Sequence, residues 1–160
     1  MDYAVEIYKL SSNFYTDYPK TQYPELMQKD NRPYTCLLIE TKDEYFICVP
    51  FRSNITHKDA FLFKNTRRST SLHSGLDYRK TVIIKDMKYI DSSTPAIIDT
   101  DEYVATIANI ERIVSEVNKY VDKYINHIQQ ISILHTREFE RHYQYSTLQY
   151  FHDILGLNKR

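Results

Sequence analysis

Residues 34–59 read YTCLLIETKDEYFICVPFRSNITHKD. Two runs rich in aromatic and β-branched side chains, 34–40 and 45–49, flank a short polar turn, which predicts a β-hairpin. A dense polar stretch, 50–59, follows the second strand, where a rigid sheet can hold a functional loop. In a hairpin symmetric about Lys42 and Asp43, Cys36 faces Val49, so Cys36 and Cys48 fall one step out of register. Side-chain direction alternates along a strand, so the two thiols are expected on opposite faces, buried and unbonded rather than joined in a disulfide.

Working outward, Val5, Ile7 and Tyr8 to Leu10 suggest a first strand. Residues 11–32 carry Pro19, Pro24 and several Asp, Asn and Tyr, and predict an irregular excursion with room for a short helix. Phe61 and Phe63, the stretch 67–70, residues 81–84 and residues 88–90 supply further short strands. The back half is helical. Ile107, Ile110, Ile113, Val114, Val117, Tyr120, Val121, Tyr124, Ile125 and Ile128 recur in steps of three and four, which places them on one helix face. Thr100 with Asp101 and Glu102 marks a start for it, since short acceptors and anions suit exposed N–H groups. Residues 131–143 continue as helix. Ser146-Thr-Leu-Gln149 is a capping-box pattern with Gly156 as the stop of its helix. Strands followed by helices predict one α+β domain over residues 1–160, with a small, strongly curved antiparallel sheet or partly open barrel braced by C-terminal helices.

Composition narrows the function. Among 160 residues, 42% hydrophobic and 26% charged side chains fit a globular chain rather than a disordered one. Two glycines are too few for a dinucleotide-binding fingerprint or a P-loop. No apolar run approaches a membrane span, and the acids within MDYAVEIYKL argue against a signal peptide, so a cytoplasmic location is expected. Lys plus Arg equals Asp plus Glu at 21 each. The charge is nonetheless segregated: residues 50–90 hold nine cations and three anions, 9 − 3 = +6, and the rest of the chain balances them.

The loop inventory suits a phosphodiester. Arg52 offers forked donors and Lys58 a point charge, while Ser53, Asn54 and Thr56 add neutral hydrogen bonds. His57 is the group there that titrates nearest neutral pH. A solvated surface loop with a turn at Ser53-Asn54 is the plainer reading, and Arg67, Arg68, Arg79 and Lys80 have a plainer role as partners of the acidic helices. The six histidines include no H-E-x-x-H, and the cysteines lack ligand spacing, so no metal or other cofactor is expected. No serine has a G-x-S-x-G setting. Aromatic residues interleaved with the cations suit stacking on unpaired bases, although most are expected to be core.

Several segments in consistent order carry a family resemblance: IYKLSS, NRPYTCLLIE, YFICVPFRSNITHKDAF and LDYRKTVIIKDMKYI, with VPFRSN-x-x-HK the most specific. Over about residues 3–130 the chain resembles the ToxN/AbiQ group of type III toxin–antitoxin toxins, especially its CptN and TenpN branch. That resemblance implies a Kid/MazF-like barrel with added helices. It also implies a metal-independent endoribonuclease active in phage defence, neutralised by a repeated, pseudoknotted RNA antitoxin that it processes. The group's active-site hydroxyl falls on Ser53, its basic residue before the hairpin on Arg32, and its aromatic after the first strand near Phe14 or Tyr15. Some members have Thr-Ser-Pro-Lys where this chain has Arg52-Ser53-Asn54-Ile55, so Lys58 or Arg52 takes the place of their loop lysine.

Resemblance and inventory converge on RNA cleavage by the substrate's own 2′-hydroxyl, giving a 2′,3′-cyclic phosphate and a 5′-hydroxyl. Ser53, Arg52, His57, Lys58 and Thr56 are the candidate catalytic residues. Arg32, Lys64, Arg67, Arg68, Arg79, Lys80, Lys85 and Lys88, with Phe14 and Tyr15, are the candidate RNA-binding residues, the cations from Lys64 to Lys88 forming a groove. The expected partners are the RNA antitoxin and target mRNA, assembled into closed toxin–RNA oligomers. A non-catalytic RNA-binding module is the alternative; a helical interaction protein using the acidic C-terminal half is a more remote one.

Overall fold

The computed structural model describes residues 5–26 and 34–157. Seven strands make up an antiparallel sheet: β1 (Glu6–Leu10), β2 (Thr35–Glu40), β3 (Phe46–Arg52), β4 (Ala60–Leu62), β5 (Gly75–Asp77), β6 (Val82–Ile84) and β7 (Ile90–Asp91). The order is β4-β5-β3-β2-β1-β7, with β6 also on β3. The α+β class is as expected, and the ladder is open, with β4 and β7 at its ends. β3 organises it. Its first half pairs with β6 and its last two residues, Phe51 and Arg52, pair with β5. The change of partner falls around Pro50, which has no N–H to donate to a ladder.

The predicted hairpin forms in a different register. Cys36 lies opposite Pro50 and Leu38 opposite Cys48, because the turn closes at Thr41 and Tyr45 with Glu44 in the left-handed region (φ 66°). A three-residue loop with its last residue left-handed adds one position to the symmetric count. The two cysteines therefore share a face as diagonal neighbours, contrary to the expectation; both remain buried and free.

Helices are α1 (Ser12–Asp17), α2 (Ser69–Leu72), α3 (Thr100–Ala108), α4 (Ile110–Ile128), α5 (Thr136–Tyr143) and α6 (His152–Leu155). The excursion after β1 does open with a short helix, whose Phe14 is fully buried against Tyr18, Tyr15 and Tyr89. The stretch 67–70 is not a strand: it enters α2, where the Ser69 side chain bonds Thr66 on both its N–H and its C=O. The long helix starts at Thr100 as predicted but breaks at Asn109, whose ψ of 18° ends α3. The two pieces differ. α4 buries Ile113, Val117, Tyr120, Val121 and Tyr124 on the sheet, at roughly 1.5–3 kcal/mol for each fully buried apolar side chain. α3 buries Glu102 and Thr106 and leaves Tyr103, Val104 and Ile107 exposed.

Helix resumes only at Thr136, where His135 Nδ1 caps the Arg137 N–H. The Ser146 side chain caps Leu148 N, forming half of the expected box, and Gly156 (φ 74°) stops α6. Leu148 and Phe151 belong to the same buried cluster as the sheet, so the C-terminal helices are part of one core.

Candidate functional site

The segment leaving β3 is held from both sides. Asn54 takes the left-handed conformation (φ 58°), its N–H reaches Leu72 O, and Ile55 N donates to His73 O while the Ile55 side chain is buried. The predicted turn at Ser53-Asn54 is thus present and pinned against α2. Ser53 is half-buried there, with Arg68 Nη1 3.5 Å from its Oγ. Arg68 is itself anchored: Nε and Nη2 donate to the two carboxylate oxygens of buried Glu102 at 3.0 and 3.3 Å. Hydrogen bonding to Glu102 raises the Arg68 pKa further, so it is a fixed cation.

Beside this pair, Arg52 is salt-bridged to Asp77, whose side chain is 0% exposed. His57 Nε2 faces the other Asp77 oxygen at 3.0 Å, while His57 Nδ1 accepts the Asp59 N–H at 3.1 Å. Asp77 also accepts the Arg79 N–H. Burial alone would raise the Asp77 pKa; the His57 contact and the Arg52 charge outweigh it and hold the carboxyl below its ordinary value. Nδ1 is thus taken by a backbone N–H, and Nε2 is buried beside Asp77 without a hydrogen bond of good geometry, so neither nitrogen is open to a ligand from solvent. Thr56 and Lys58 are exposed.

The candidate RNA-binding cations divide. Arg67 bonds Asp99 and, through its N–H, Asp101; Arg68 holds Glu102; Arg79 holds Asp59 and Arg141 O; Lys80 holds Glu25 and Tyr145 O. The plainer reading as partners of the acidic helices holds for Arg67 and Arg68, which meet α3 and its N-cap; Arg79 and Lys80 instead pair with Asp59 and Glu25, which lie outside the helices. Arg79 and Lys80 side chains are only 17% and 12% exposed, so they line no open groove. Lys64 and Lys85 are exposed without an ion-pair partner among the described residues, and Lys88 sits loosely, 3.9 Å from Asp17. Lys64 follows β4 and Lys88 precedes β7, so they lie at opposite ends of the strand order. With Arg67, Arg68, Arg79 and Lys80 engaged by acids, the cations from Lys64 to Lys88 do not present one free row.

Phe14 is fully buried and offers no face for stacking, whereas Tyr15 is partly buried, packs against the core and accepts the Tyr34 N–H on its hydroxyl. Arg32 lies outside the described residues. Three carboxylate or imidazole groups were not anticipated: Asp77, Glu102 and His142, the last bonded through Nδ1 to Asp59 at 2.9 Å. Among the described residues no group of three His, Cys, Asp or Glu comes together as a metal ion would require. Nor is any described helix long and apolar enough to cross a membrane.

Comparison with protein-family models, with curated proteins and with solved structures found no match.

Proposed function

We propose that this chain is a metal-independent endoribonuclease of the ToxN/AbiQ-like type III toxin class, cytoplasmic, acting on mRNA and restrained by a folded repeat RNA within a closed toxin–RNA assembly. Its open, branched sheet is then a partly open barrel of the Kid/MazF kind. The observation that carries the reading is the Ser53 hydroxyl held at a pinned turn with the Arg68 guanidinium beside it. A hydroxyl and a fixed cation at one point are what a scissile phosphate needs from its host.

In this mechanism the 2′-oxygen forms a bond to phosphorus as the bond to the 5′-oxygen breaks. The 2′-hydroxyl proton leaves to an acceptor and the 5′-oxygen takes one up. The protein's main contribution is alignment and stabilisation of negative charge on the phosphoryl oxygens. Arg68 takes the charge role, because Glu102 holds its Nε and Nη2 while its Nη1 reaches the Ser53 hydroxyl; Arg52 is salt-bridged to Asp77. Ser53 positions the phosphate, and Thr56 and Lys58 remain exposed beside the loop for further contacts.

One observation favours the alternative of a non-catalytic RNA-binding module: neither His57 nitrogen is open to solvent, Nε2 being buried beside Asp77 and Nδ1 taken by the Asp59 N–H. Expression of the wild type and of Ser53→Ala separates the two readings. The nuclease reading expects growth arrest and RNA with cyclic-phosphate ends from the wild type, and neither from the variant. Equal arrest by both removes Ser53 from the mechanism.

A further inference from the structure

A cleft of about 320 Å³ opens between residues 58–60, Tyr78 and the facing sides of α4 and α5. Tyr78, Tyr120 and Tyr143 line its inner side; they are 4%, 6% and 4% exposed, so only a narrow edge of each ring reaches the cleft. Their hydroxyls are already used, donating to Glu116 Oε1 (2.8 Å), His142 O (2.6 Å) and Tyr120 O (2.7 Å), so the rings contribute apolar surface. At the base lies Asp59, its charge met by Arg79 Nε at 2.7 Å and by His142 Nδ1 at 2.9 Å. That arrangement orients the His142 ring and leaves its Nε2 without a partner among the described residues. At the rim, Lys58, Lys119 and Lys123 are exposed and make no ion pair among the described residues. Two rim acids oppose them: Glu116, which pairs with Arg112 at 2.9 Å, and Glu138.

Lys119 and Lys123 stand one helical turn apart, where like charges repel. Three cations without an ion pair among the described residues, faced across the rim by Glu138, stand above tyrosine ring edges and an oriented imidazole, a setting for an anion with a flat, partly apolar body. The volume falls in the range of small-ligand pockets and exceeds what a bare phosphate fills. We infer that this cleft binds a nucleotide, its phosphate on Lys58, Lys119 and Lys123 and its base edge-on over the tyrosine rims beside His142 Nε2. The nucleotide is either a free mononucleotide or one residue of an RNA strand. The inference stands whether or not the Ser53 turn cuts RNA.

The test is calorimetric titration of the full chain at low salt with AMP, with an adenylate hexamer and with inorganic phosphate, reading binding and not cleavage. The site variant is Lys119→Glu with Lys123→Glu; the charge-matched control is Lys20→Glu with Lys42→Glu, exposed lysines outside the cleft. Loss of the rim cations is expected to weaken nucleotide binding about tenfold or more, and the control by less than about twofold. His142→Gln, which keeps the rim charge, is expected to weaken it as well. Rim-sensitive AMP binding identifies a free nucleotide, and rim-sensitive hexamer binding without AMP binding identifies a strand residue. The inference is overturned if neither binds, if the site variant and the control behave alike, or if inorganic phosphate binds as tightly as AMP.

Discussion

Arg68 and Glu102, thirty-four residues apart, meet in a two-point salt bridge with the Glu102 carboxylate 1% exposed. The bridge fastens α3 to the segment before α2 and fixes the guanidinium that reaches Ser53. It explains why α3 turns a polar face inward: Thr106 Oγ1 bonds Glu102 O on the same buried side.

Glu102→Gln keeps the shape and removes the charge. A hydrogen bond to a charged group contributes about 1.5–3 kcal/mol, so urea unfolding should show a loss of about that size, reduced because Arg68 is partly exposed. If Arg68 also serves the phosphate, RNA cleavage should fall through kcat, as Arg68 loses its fixed position. A purely structural bridge would lower stability alone.

The Asp77 carboxyl has a depressed pKa in the folded state, so its stabilising contribution is present above the ordinary value of 3.8 and is lost as pH falls from there through the lower folded value. Unfolding measured from neutral pH down to pH about 2 should show the wild type losing stability on this limb and Asp77→Asn losing less. At neutral pH the variant should be less stable by about 3 kcal/mol, since Arg52 and His57 are left facing a neutral group.

Gly75 sits opposite both Arg52 and Leu62, at the point where β5 bridges β3 and β4. A Cβ there would collide with the backbone carbonyl of Phe61, which cannot swing aside as a side chain could. Gly75→Ala should therefore destabilise by about 1–3 kcal/mol and shift the backbone under Arg52, seen as a lowered thermal midpoint and displaced amide resonances for residues 51–53.

Burial raises the pKa of both Cys36 and Cys48. Neither thiol should react with a disulfide reagent in the native state, and both should react once urea unfolds the chain.

The hairpin, the polar loop and the amphipathic α4 were legible because each is local: alternation, turn chemistry and helical spacing lie within one stretch. The cysteine register was not, since it depends on Glu44 adopting a left-handed conformation that a non-glycine residue rarely signals. Ile107 matched the helical period of α4 yet is exposed, because Asn109 interrupts the helix and resets the face. At the site, Arg52, Ser53 and the turn were legible from composition. Asp77, Glu102 and His142 were not, because their partners lie 25, 34 and 83 residues away. One trace existed: Asp77 stands between Leu76 and Tyr78, a lone carboxylate among apolar neighbours, which is where a buried charge partner should be sought. The expected row of free cations was not met for the complementary reason, since a run of cations does not reveal which acids fold against it.

We propose that RNA held at Ser53 is cut by its own sugar. Purified protein in EDTA, given a substrate with a mapped cleavage position, tests it through a single 2′-deoxy replacement at the scissile nucleotide. Cyclic-phosphate ends are expected from the all-ribose strand, and no cut at the replaced position. Intact all-ribose RNA, or an undiminished cut at the deoxy position, would contradict it.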